Sequence, residues 1–218
     1  MRRIADRYGG RRFFCCHVFA CMQTRMPWWR RFHRVEWHRV ERLVFICRGN
    51  ICRSAYAAAK ARALGVPAQS GGLQAKSGYP ANGDARRHAA ARGLSLEAHR
   101  TKGLQELAIG AGDLVICMEP PQLTAVQKMY PTFAGQLTLL GFWSQPRRPW
   151  IFDPFGLADE PWCQCLDLID DAVCRVADLY RRRHPRLTEM PGEGEPMAEA
   201  RKRRSLNRSE VCPPSVAP

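Results

Sequence analysis

Glu41-Arg42-Leu43-Val44-Phe45-Ile46-Cys47-Arg48-Gly49-Asn50-Ile51-Cys52-Arg53-Ser54 is the stretch on which the reading of this chain turns. Leu43 to Ile46 has the length and composition of a strand buried in a parallel sheet, and a helix-compatible stretch from Arg53 to Leu64 follows almost at once. The strand therefore delivers Cys47 to a short loop that opens onto a helix N-terminus. Backbone N–H groups of such a loop converge on one point, and the partial positive charge of the helix end adds to them, so the site suits a phosphate-like dianion. The same field favours the thiolate, which is the nucleophilic form of cysteine. Arg53 offers a planar fork of donors able to hold two phosphate oxygens at once. Ser54 can donate a hydrogen bond to the sulfur, Gly49 permits a tight turn, and Asn50 tolerates left-handed backbone and can tie the loop to itself.

Spacing alone leaves two readings open, because a chain with ten cysteines and many arginines produces Cys-x5-Arg by chance. One is a phosphate cradle with a nucleophile at its base. The other is a buried cysteine at a strand end followed by a solvated arginine. Residues further along separate them.

Cys47-Arg48-Gly49-Asn50-Ile51-Cys52-Arg53-Ser54 resembles the signature loop of the low-molecular-weight protein tyrosine phosphatases, in their bacterial form. In order, Ser70-Gly71-Gly72-Leu73, Gly78-Tyr79-Pro80-Ala81, His99-Arg100-Thr101, Asp113 to Met118, Leu139-Leu140 and Asp153-Pro154-Phe155-Gly156 resemble further family segments. The resemblance implies a protein-tyrosine phosphatase, a phosphoric monoester hydrolase without cofactor or metal. Cys47 would be the nucleophile, Arg53 the phosphate-binding group and Asp153 the general acid and base. Arg48, Gly49, Asn50, Ile51, Cys52 and Ser54 would surround the phosphate, with Phe155 against the phenyl ring and His99 supporting the loop through Asn50. Ile51 stands where the family places isoleucine for phosphotyrosine and threonine for phosphoarginine. Cys52 stands where some members form a reversible disulfide with the nucleophile; a merely packed thiol is the other reading. Two departures are plain: Ala55 replaces the proline usual after the serine, and Ala75 and Lys76 lie near where eukaryotic members carry an aromatic wall.

Strand signals near 42–47, 68–71, 113–118 and 136–140 alternate with helical stretches near 53–65, 82–92, 101–108 and 120–129. Asn82 is placed to cap one helix and Gly93 to end it. A final helix opens at Asp159-Glu160-Pro161 and sets Leu166, Ile169, Val173, Val176 and Tyr180 on one stripe. The predicted fold is α/β, a four-stranded parallel sheet flanked by helices on both faces with the phosphate-binding loop after the first strand. Residues 41–183 are about one domain in length. Residues 1–40 carry ten Arg against two acids, and 184–218 six Lys plus Arg against five Glu, leaving +5 of the total +14 for the domain. The high charge thus belongs mostly to the N-terminal extension, predicted to lack fixed structure, as is the C-terminal tail over 184–218.

The extension interleaves Trp and Arg between Met26 and Arg39, a pattern of membrane-surface and nucleic-acid-binding arms. Arg11-Arg12 followed by Phe13 to Met22 has the outline of a short secretory signal, but His17 interrupts the run and Phe19 stands where a small residue is expected. No segment approaches the roughly 18 apolar residues of a transmembrane helix. Cysteine usage shows no zinc spacing, and Cys47 must be reduced to act, so a cytoplasmic protein is expected. The resemblance implies a phosphotyrosine protein as partner, with a bacterial tyrosine kinase among the candidates. Two other functions compete. An arsenate reductase needs paired relay cysteines after the third strand, but Cys117 is next followed by Cys163. A non-catalytic phosphate-binding module would keep the loop and lose the acid.

Overall fold

The computed structural model describes residues 11–185. Its centre is β1 (Arg42–Cys47), flanked by β2 (Ala68–Gly72) and β3 (Asp113–Cys117), with β4 (Gln136–Leu139) on the far side of β3. All four strands run parallel in the order β2-β1-β3-β4. Among the described residues five α-helices accompany them: α1 (Arg11–Gln23), α2 (Arg53–Ala63), α3 (Gly83–Ala90), α4 (Pro120–Met129) and α5 (Asp159–Arg183).

Side chains alternate across a strand, so β1 feeds two cores. Leu43, Phe45 and Cys47 enter one core, with Tyr56 of α2 and Leu166, Ile169 and Val173 of α5. Val44 and Ile46 enter the other, with Leu123 and Val126 of α4. The sheet is covered on both faces, as the alternating pattern predicts. The α5 stripe from Leu166 to Tyr180 is buried, and the Tyr180 hydroxyl donates to the Glu41 carbonyl at 2.9 Å. Asn82 Oδ1 caps α3 by accepting from the Asp84 and Ala85 amides at 2.9 and 3.2 Å. Gly93 closes the turn beyond α3 at φ 72°, where a side chain is disfavoured.

Two sequence expectations change. The helix predicted over 101–108 is only a 3-10 turn, Leu104–Glu106. The Lys102 carbonyl accepts from the Gly72 amide at 3.0 Å and Gly103 bridges Gly72, so the chain leading into the turn stays extended beside β2. The extension predicted to lack structure is folded over its described part, 11–40. α1 is followed by 3-10 turns at Pro27–Phe32 and Trp37–Arg39. Trp29 and Phe32 bury in the α4-side core, and the Phe32 carbonyl accepts from Thr138 Oγ1 at 2.7 Å. Gln136 clasps the backbone of Glu36, its Oε1 accepting from the amide at 2.7 Å and its Nε2 donating to the carbonyl at 3.1 Å. β4 is an edge strand, and this segment covers it. Residues 1–10 and most of the predicted tail, from 186 on, lie outside the described residues.

Candidate active site

β1 ends at Cys47 and α2 begins at Arg53, so five residues must turn the chain and place its amides around one point. Asn50 makes the turn in left-handed backbone, φ 55°. Its amide donates to Cys47 Sγ at 3.3 Å. Its side chain is fully used: Nδ2 donates to Ser54 Oγ and Ser70 Oγ, both at 2.9 Å, and Oδ1 accepts from the Lys102 amide at 3.0 Å. Because that amide can only donate, the orientation of the Asn50 carboxamide is decided. The Asn50 carbonyl accepts from His99 Nε2 at 2.7 Å, so the proton of a neutral His99 sits on Nε2. Burial lowers the His99 pKa, with Arg62 and Arg100 adding to it, while the bond to Asn50 works the other way. His99 is thus a neutral donor that fixes the loop backbone.

Gly72 lies directly under the loop. A Cβ there would stand 2.8 Å from the Arg48 carbonyl oxygen and 2.9 Å from the Asn50 amide nitrogen, so only glycine lets β2 approach so closely. Gly49, expected to serve the tight turn, has an ordinary backbone, and a Cβ on it would meet Ile51 at a normal 3.5 Å. Asn50, not Gly49, carries the unusual dihedral.

Cys47 Sγ is buried and 3.0 Å from Ser54 Oγ. That hydroxyl accepts from Asn50, and its single proton faces either Cys47 Sγ or the Gly71 carbonyl at 3.3 Å. A thiolate competes better for it than a carbonyl does. Cys52, the N-cap of α2, makes no side-chain bond to the helix, which leaves the first-turn amides to an anion. Cys52 is itself buried, and burial first, then the Asp153 charge, pushes its thiol up, so it stays protonated. Cys47 and Cys52 are both free thiols.

Arg53 is only 1% exposed. Nη1 donates to Glu119 Oε1 and to the Ile151 carbonyl, each at 2.9 Å, and Nη2 donates to Asp153 Oδ2 at 2.8 Å. Burial opposes its charge, but Asp153, Glu119 and Cys47 outweigh burial and raise its pKa. Nε has no protein partner. Of five N–H groups three are committed, leaving Nε and one Nη2 hydrogen for an incoming anion. Glu119, which sequence reading missed, is the second carboxylate on Arg53; its only signal was its place just past the end of β3.

Asp153 comes from a loop one hundred residues away and reaches the same guanidinium; its Oδ1 accepts from the Phe155 amide at 3.3 Å, and the Phe155 ring is exposed. The Arg48 side chain turns outward to Gln74, its Nε donating at 2.8 Å, so only its backbone faces the loop. Ile51 packs partly against the core, and its carbonyl accepts from the Asn82 amide at 2.9 Å. Among the described residues no group of His, Cys, Asp and Glu is arranged to hold a metal, and no helix is long and apolar enough to cross a membrane.

A family model described as low molecular weight phosphotyrosine protein phosphatase matches residues 42–184. The chain belongs to this family. Relatives of the low molecular weight phosphatases similar to it include the probable protein-tyrosine-phosphatase EpsP of Ralstonia nicotianae, 33% identical over 136 residues, covering 62% of this chain and 92% of the relative. Etp of Escherichia coli K12, also named a low molecular weight protein-tyrosine-phosphatase, is 31% identical over 132 residues, covering 60% and 88%. Among solved structures, the tyrosine phosphatase Wzb of Escherichia coli K30 in complex with sulphate superposes with a TM-score of 0.57 at 28% identity, covering 64% of this chain and 97% of its own. The phosphatase family match leaves residues 1–41 outside it.

Proposed function

We propose that this protein hydrolyses phosphotyrosine in proteins through a phosphocysteine intermediate formed on Cys47. The observation that carries this reading is that Cys47 ends β1 with Ser54 Oγ at its sulfur, while Arg53 at the start of α2 pairs with Asp153 and keeps Nε without a protein partner. Cys47 Sγ attacks phosphorus, and a sulfur–phosphorus bond forms as the bond to the phenolic oxygen breaks. Asp153 delivers a proton to that oxygen. Water then attacks phosphorus, the sulfur–phosphorus bond breaks, Asp153 takes the proton from water, and inorganic phosphate leaves. Arg53 and the loop amides carry the charge of the equatorial oxygens throughout. Ser54 donates to the sulfur when it leaves as thiolate, Asn50 and His99 hold the loop in shape, and Arg48, Gly49, Ile51 and Cys52 contribute backbone to the cradle.

Ile51 supports phosphotyrosine over phosphoarginine because the family pairs isoleucine at this loop position with phosphotyrosine, and the exposed Phe155 ring, two residues from Asp153, is placed to flank a phenyl group. Within that class we favour the phosphotyrosines of a bacterial tyrosine kinase. The catalytic unit is residues 41–183, and a reducing compartment, the cytoplasm, suits the free thiols Cys47, Cys52, Cys117 and Cys165.

The test is release of p-nitrophenol from p-nitrophenyl phosphate under reducing conditions. Cys47→Ser abolishes turnover. Asp153→Asn lowers it by about 10²–10⁴-fold, the usual contribution of a general acid. A folded wild type as inert as Cys47→Ser would overturn the enzyme and leave a phosphate-binding module. Phosphotyrosine and phosphoarginine peptides compared on the active protein decide the substrate class.

A further inference from the structure

α1 presents to solvent the face that a helix of a globular protein normally hides. His17, Ala20 and Thr24 are buried, and Thr24 Oγ1 bonds back to the Ala20 carbonyl at 2.8 Å. The opposite side carries Cys15, Val18, Phe19 and Met22 at helical spacing, all exposed, and the line continues through Met26 to Trp28. Phe19 and Trp28 are each 61% exposed, the two largest among the exposed large hydrophobic residues described, and Met22 is 58% exposed. Contiguous exposed apolar surface of this kind marks an interaction site.

The stripe is rigidly mounted. The His33 ring bonds the Thr24 carbonyl at 3.3 Å and stacks on Phe142 at a centroid distance of 3.8 Å, while Trp29 and Phe32 sink into the core beside it. The inward anchors of this segment are spent on the domain, and the outward side chains are left over.

The charge around the stripe identifies its counterpart. Residues 7–35 hold seven Arg and no Asp or Glu. Arg25, Arg30, Arg31 and Arg34 are exposed, and no carboxylate among the described residues pairs with them. An apolar line of Val, Phe, Met and Trp in a segment whose only charged residues are arginines is the composition of a surface that lies in the headgroup layer of an anionic bilayer. A nucleic acid would use the arginines but leave the Val-Phe-Met face in water. We infer that residues 14–34 dock this protein on an anionic membrane surface, Phe19, Met22 and Trp28 entering the acyl boundary while Arg25, Arg30, Arg31 and Arg34 meet lipid phosphates.

The experiment is sedimentation of the full chain with vesicles of phosphatidylcholine alone and of phosphatidylcholine mixed with phosphatidylglycerol. The wild type pellets with the anionic vesicles and stays largely in the supernatant with the neutral ones. The triple variant Phe19→Ser, Met22→Ser, Trp28→Ser loses about tenfold or more of its partition. Its circular dichroism spectrum and p-nitrophenyl phosphate turnover stay unchanged, because none of the three touches the catalytic loop. Arg25→Glu with Arg30→Glu also loses the anionic preference, and added salt weakens the wild type. Failure of the wild type to bind anionic vesicles would overturn the inference, as would a triple variant that binds as well as wild type. Concentration-dependent dimerisation abolished by the same triple change, without vesicle binding, would instead assign the stripe to a second copy of this chain. Salt-sensitive DNA binding without vesicle binding would assign the arginines to nucleic acid.

Discussion

Arg53 holds a full positive charge where almost no water reaches it, and the arrangement works because two carboxylates and a backbone carbonyl take three of its five N–H groups. What remains free is Nε and one hydrogen of Nη2. Cys47 and Arg53 stood out in the sequence because chemistry constrains residue type and the motif constrains spacing, whereas Asp153 stood out only through the family resemblance. Glu119 was not legible, since its partnership with Arg53 spans sixty-six residues and depends on where β3 ends. Gly72 is the other residue whose role appears only in three dimensions. Gly72→Ala pushes a methyl against two backbone atoms of the catalytic loop, neither of which can rotate away. It is expected to cost about 1–3 kcal/mol of stability and to lower kcat on p-nitrophenyl phosphate, because the cradle itself must shift. Urea denaturation and steady-state kinetics check both. An alanine variant with wild-type stability and turnover would mean that β2 and the loop are not locked together.

Among the elements, the long periodic ones followed from pattern alone: α5 from its apolar stripe and charged first turn, β1 and β3 from their unbroken apolar runs, α3 from Asn82 and Gly93 at its ends. The segment 101–108 did not, because its local sequence tolerates a helix while the pairing of Lys102 and Gly103 with β2 requires extended chain. The N-terminal segment was misread for a related reason. Its Trp and Arg composition suggested an unanchored arm, but Gln136 and Thr138 of the edge strand β4 give Glu36 and Phe32 partners that no local pattern reveals. Phe32→Ala removes an aromatic ring from the core on the α4 side and is expected to destabilise the full chain by about 3 kcal/mol or more, read as a fall in the urea midpoint at unchanged slope. A negligible change would show that the segment adds nothing to the fold.

For the whole molecule, four histidines define an acid limit to stability. His17, His33, His88 and His99 each have a pKa lowered below the ordinary 6.5, burial being the largest cause in every case. The folded protein therefore resists protonation at sites that the unfolded chain protonates readily. Stability is full above about pH 6.5 and falls as pH drops below it towards each depressed value. The lowered pKa of Asp159, caused chiefly by Arg87, keeps that carboxylate from contributing until lower pH. The expected outcome is a melting temperature clearly lower near pH 5.5 than near pH 7.5, with His99→Asn reducing the difference. A melting temperature unchanged or raised towards acid would show that these imidazoles are protonated in the fold. By itself the sequence determined the alternation of strands and helices and the loop that joins Cys47 to Arg53, because those depend on short-range periodicity and on a contiguous motif. The tertiary structure alone decided which carboxylates meet Arg53, why Gly72 must lack a side chain, and that residues 27–40 cover the sheet edge, because each depends on groups brought together only when distant segments pack.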